Sequence, residues 1–165
     1  MRLSPLATVG ILLGLVLILP GCGDQSAPAA GTGSAAVRGV ESGVSAATRT
    51  CRAHLHGLLN SMDDLRGQLV VGLSYGAYLH EVRAAQATYD GVPVDRLELS
   101  CLVKVGTPAE RALNLYLDAA NTWGDCLTST SCDSESVEPK LQRKWALASG
   151  RLSLAQKGLR ASGRG

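Results

Sequence analysis

The chain has no phenylalanine, and two tryptophans and four tyrosines are all the rings among its 165 residues. Whatever packs must be built chiefly from leucine, alanine and those few rings. No apolar run approaches the roughly 20 residues of a bilayer span; the longest, Val9 to Leu19, has 11. The formal net charge is only +2, so bulk electrostatics do not point to nucleic acid. Residues 139 to 165 hold 7 basic side chains and no acidic one, against 8 basic and 14 acidic over residues 22 to 138.

Histidine is scarce, with three in all, and that scarcity removes two chemistries. Gly72-Leu73-Ser74-Tyr75-Gly76 matches the nucleophile-elbow pattern of α/β-hydrolases. That mechanism places an acid and then a histidine after the serine. Here His80 is the one histidine beyond Ser74, no acid lies between them, and no βαβ units follow. A metal site built from Cys51, His54, His56 and His80 fails on direction. On a helix His54 and His56 lie about 200° apart and diverge, whereas zinc wants converging ligands. No catalytic residue, metal ligand or cofactor is therefore assigned.

What is present begins at the N-terminus. Arg2 precedes the apolar run, and Leu19-Pro20-Gly21-Cys22 closes it with two helix breakers. These residues resemble the signal peptide and lipobox of bacterial lipoproteins: leucine three before the cysteine, a small residue just before it, with Pro20 a departure from the usual residue between. The resemblance covers residues 1–22 only. It implies that residues 1–21 are removed and that Cys22 carries lipid. The rest would then be exported, anchored to the cell membrane and facing outside the cytoplasm. Two or three acyl chains hold stably where one does not.

Export gives the cysteines a use. Cys51, Cys101, Cys126 and Cys132 are an even number in an oxidising compartment. Residues 22–43, rich in Ala, Gly and Ser and without apolar periodicity, read as a flexible tether. Residues 44–161 read as the folded domain, and residues 162–165 as a disordered tail.

Apolar spacing predicts an all-α domain, an up-and-down bundle of about four helices stapled by disulfides. A first helix is expected over Val44 to Leu59. Ser61 with Asp63 and Asp64 suggests that a second begins at Met62 and runs to Tyr89, before Asp90-Gly91-Val92-Pro93. Gly72 and Gly76 on it would allow close backbone approach. Val94 to Val105 fits a short helix or an alternating strand, and the lack of a strand partner favours helix. Thr107-Pro108-Ala109-Glu110 carries the marks of an N-cap, a first-turn proline and a capping-box glutamate. The helix it opens has an apolar face including Leu113, Tyr116, Ala120 and Trp123, and a polar stripe of Asn114, Asp118, Asn121 and Asp125. The last helix buries Leu141, Trp145, Ala148, Leu152, Ala155 and Leu159, and leaves Leu147 and Leu154 on its other side. In that topology Cys126 and Cys132 bracket one loop, while Cys51 and Cys101 meet at the opposite end of the bundle. The predicted pairs are Cys51–Cys101 and Cys126–Cys132.

Two surfaces are candidates for function. Tyr75, Tyr78 and Tyr89, with Gln86 beside them, share a face that would line a ligand groove. Lys140, Arg143, Lys144, Arg151 and Lys157 make the last helix a basic surface for an envelope protein or an anionic polymer. The leading expectation is a non-enzymatic binding or scaffolding domain of the cell envelope. The alternative is a small-ligand carrier, or a hydrolase, working in the bundle interior. A carrier predicts a cavity behind Tyr75 and Tyr78, whereas a scaffold predicts a filled core there.

Overall fold

A computed structural model describes the backbone of residues 35–162 and the side chains of residues 46–162. The signal-like segment, Cys22 and the tether up to residue 34 lie outside the described residues, as do residues 163–165. Among the described residues every regular element is helical. Four long helices run up, down, up and down: α1 (Ala35–Val71), α2 (Tyr75–Asp90), α4 (Thr107–Thr128) and α5 (Ser134–Ser162). A 3-10 turn (Val94–Arg96), the single-turn α3 (Leu99–Cys101) and a π turn (Leu102–Gly106) join α2 to α4. Contacts run in a ring, α1 to α2, α2 to α4, α4 to α5 and α5 back to α1, the arrangement of an antiparallel bundle. The segment open between helix and strand is helical.

The expected break near residue 61 does not exist. α1 passes straight through it because Leu55, Leu58, Leu59, Met62 and Leu65 continue one buried stripe. Ser61 returns its hydroxyl to the Leu58 carbonyl, and Asp63 pairs with Arg66 one turn on. The helix stops instead at Gly72, whose φ of +102° is open to glycine at little cost. Its N–H closes on the Gln68 carbonyl at 3.0 Å. Two residues later Ser74, in extended conformation, accepts the Ala77 N–H at 3.3 Å and caps α2. The stretch that imitates a nucleophile elbow is thus the corner between two helices.

Close packing at Gly72 and Gly76 is also corrected. A methyl group at either would meet nothing within 4 Å. The glycines that admit neighbours are Gly124, where a Cβ would lie 2.5 Å from Tyr75 Oη, and Gly158, where it would strike the Lys104 carbonyl oxygen.

That carbonyl belongs to the π turn, and the turn has a local cause. Pro108 has no N–H to return to residue 104. The helical run widens by one residue, and the Thr107 N–H reaches the Leu102 carbonyl. Thr107 therefore does not cap: the chain arrives already helical, with Gly106 at φ −59° and ψ −56°.

At the other two boundaries, α1 takes in residues 35–43, which composition assigns to the tether. Alanine, the best helix former, recurs there among the glycines. At the far end Ser162 is the last residue of α5, not part of a loose tail, and its carbonyl accepts the Thr48 hydroxyl at 2.8 Å.

Both predicted disulfides are present. Cys51–Cys101 joins α1 to α3 with Cα atoms 5.8 Å apart, and both residues are buried in the core. Cys126–Cys132 ties the α4–α5 loop with Cα atoms 5.1 Å apart. Below that loop Asp133 accepts the Ser136 N–H at 2.8 Å and caps α5.

Candidate functional site

The rings of this ring-poor chain gather in one place. α2 contributes Tyr75 and Tyr78, α4 contributes Trp123 and α5 contributes Trp145. Neighbouring centroids are 5.5 Å (Tyr75–Trp123), 5.8 Å (Tyr78–Trp123), 5.6 Å (Tyr78–Trp145) and 6.0 Å (Trp123–Trp145) apart. The pairs are tilted or edge-on, as ring quadrupoles prefer. Tyr75 can reach Trp123 because Gly124 leaves room for its hydroxyl.

Tyr78 is fully buried, so its hydroxyl must find partners. It donates to the Tyr116 carbonyl at 2.8 Å and accepts the Trp145 Nε1–H at 3.0 Å. Burial raises its pKa well above the ordinary tyrosine value, against the smaller lowering effect of the Trp145 hydrogen bond. Tyr116 is equally buried, and burial raises its pKa too. Its hydroxyl has Ser149 on its side of α5 but closes no hydrogen bond of regular geometry.

On the other side of the two indoles lies a cleft of about 290 Å³. Leu69 and the corner residues Gly72 and Leu73 form one wall, and Trp123 and Trp145 form another. Ser134, Val137, Glu138, Leu141 and Gln142 of α5 complete it. The cleft follows from the corner: because α1 stops at Gly72, Leu73 turns toward the tryptophans instead of continuing the helix.

The anticipated tyrosine groove does not form. Tyr75 and Tyr78 both reach Trp123, but Tyr78 is sealed in the core and Gln86 is exposed on α2. Tyr89 lies three turns away, beside Glu110, in a separate cavity of about 80 Å³ lined by Leu55, Leu58 and Leu97. Its pKa is raised by burial first and by the Glu110 carboxylate second. The cavity expected behind Tyr75 and Tyr78 is instead on the far side of Trp123 and Trp145. Periodicity placed both tryptophans correctly on inward faces, but it could not tell that one side of each ring would stay open.

On α5 the cations Lys140, Arg143, Arg151 and Lys157 are exposed, as expected of a basic surface. Lys144 is not free: it pairs with Asp118 of the polar stripe on α4. Leu147 and Leu154, 59% and 49% exposed, lie on the same helix among these cations.

Ser74 is committed as a helix cap, and His80 is exposed on α2. His56 is bonded to Asn60 at 3.1 Å, while His54 is half-buried on the opposite side of the helix. Among the described residues no three His, Cys, Asp or Glu side chains converge as metal ligands, and no helix is long and apolar enough to cross a membrane. Comparison with protein-family models, with curated proteins and with solved structures yields no match.

Proposed function

We propose that this chain is an exported, lipid-tethered domain of the bacterial cell envelope that binds or scaffolds without chemistry of its own. The observation that carries the reading is that all four cysteines beyond Cys22 are paired. Disulfides of this kind persist in oxidising compartments. The lipobox-like Leu19-Pro20-Gly21-Cys22 supplies both the export signal and the anchor. The basic face of α5, with leucines set among its cations, suits an anionic partner there.

Intact-mass measurement on the membrane fraction tests the tether. The expected mature chain begins at Cys22 and carries acyl mass, and Cys22→Ser moves the protein off the membrane. A mature protein without acyl mass would remove lipidation from the proposal. Joint replacement of Lys140, Arg143, Arg151 and Lys157 by glutamine tests the surface. Retention on vesicles of anionic lipid should fall sharply; undiminished retention would take α5 out of the reading.

A further inference from the structure

We propose that the cleft at the α1–α2 corner is a binding site for a small organic cation, an ammonium group bearing methyl or methylene substituents. The inference goes beyond the envelope reading and depends on neither the lipid nor the basic face of α5.

Two indoles line the cleft, and an aromatic wall is what such a cation uses. Trp123 and Trp145 meet at 65° with centroids 6.0 Å apart, so two indoles form adjoining walls. Indole is the best of the aromatic faces for a cation, and the attraction grows when the pair is desolvated.

The hydrogen-bonding of Trp145 withholds one donor from the opposite ligand. Its Nε1–H points at the buried Tyr78 hydroxyl and is fully engaged there. An anion or a carbonyl group would want that donor. A cation has no use for it and loses nothing.

Charge agrees. Among the residues lining the cleft Glu138 is the one charged group, with Gln142 one turn beyond it on α5. The N-terminus of α5 contributes about half a positive charge. Asp133, already capping that end, together with Glu135 and Glu138, outweighs it before Lys140, the first cation of the helix. The volume, about 290 Å³, sits at the small end of ligand pockets and fits a head group rather than an extended molecule.

Both tryptophans of the chain line this cleft, so intrinsic fluorescence reads it without a label. Full-length protein is titrated with choline at constant ionic strength. The control is choline's neutral carbon isostere, in which a tert-butyl group replaces the trimethylammonium. We expect a saturable change with choline and at least about tenfold weaker binding of the isostere. Glu138→Gln should weaken choline about tenfold and leave the isostere unaffected, while Lys140→Gln alters neither. Gln142→Glu gives the converse reading, a tighter choline complex, and holds the proposal to account even if Glu138→Gln proves unstable. No saturable response to choline, an equal response to the isostere, or unchanged choline affinity in both Glu138→Gln and Gln142→Glu would each overturn the assignment.

Discussion

The Trp145 indole N–H donates to the Tyr78 hydroxyl at 3.0 Å, and that hydroxyl donates onward to the Tyr116 carbonyl at 2.8 Å. One buried oxygen thereby links α2, α4 and α5. Tyr78→Phe would leave the Trp145 donor without its partner, at a cost of about 1–3 kcal/mol. Tyr116→Phe removes a buried hydroxyl that already lacks a regular partner, so it should be neutral or stabilising. Urea unfolding of the two variants separates these outcomes. Equal losses would mean that Tyr116 has a partner of comparable strength.

The same burial fixes a pH dependence. Tyr78 and Tyr116 hold their protons in the fold to higher pH than ordinary tyrosines. Above about pH 10 the unfolded chain releases those protons while the folded chain keeps them. The folded state then binds more protons than the unfolded one, and stability must fall as pH rises. The contribution is complete below about pH 10 and declines through the alkaline range. Unfolding free energies measured from neutral pH upward should show this decline, and Tyr78→Phe should make it shallower.

Glycines on α5 should respond to alanine with opposite signs. At Gly158 the new methyl would collide with the Lys104 carbonyl of the π turn, a backbone atom with little freedom to move. Gly158→Ala is expected to cost about 1–3 kcal/mol. Gly150 is exposed on the same helix with nothing within 4 Å of such a methyl. Gly150→Ala should stabilise by about 0.5–1 kcal/mol. Thermal melting of both variants checks the pair, and a stabilising Gly158→Ala would contradict the close approach.

The two disulfides should differ in weight. Cys51–Cys101 closes 50 residues and Cys126–Cys132 closes 6. Chain-entropy reasoning gives about 4 kcal/mol for the longer and about 2 kcal/mol for the shorter. Paired replacement by alanine, read by denaturant unfolding, should preserve that order. The longer pair also lies in the core, so its removal adds a packing loss.

Helical spacing and the even cysteines make the bundle and its staples legible in the sequence, because both depend on local period and loop order. The boundaries were less legible wherever tertiary burial outvoted a local signal. Asp63 and Asp64 look like a helix start, yet Met62 and Leu65 hold α1 together through them. Thr107-Pro108 looks like another, yet the helix absorbs the missing N–H by widening. Conversely, Gly72 and Ser74 carried a stop and a start in three residues, concealed inside an apolar run. Sharing a helix face also proved different from sharing a site. Tyr75 and Tyr89 lie 14 residues apart on α2, and along a helix that is about 21 Å. The cleft depends on how α4 and α5 are aligned across the Cys126–Cys132 loop, which no pattern within either helix encodes.

The hydrogen bond from Thr48 to the last residue of α5 ties α1 to the end of α5 at one pole of the bundle. The cleft opens at the other, about 35 Å along α1. A reporter or affinity tag appended after Gly165 would therefore project from the Thr48 pole and leave the tryptophan walls unobstructed. An insertion in the loop of residues 129–133 would stand over them.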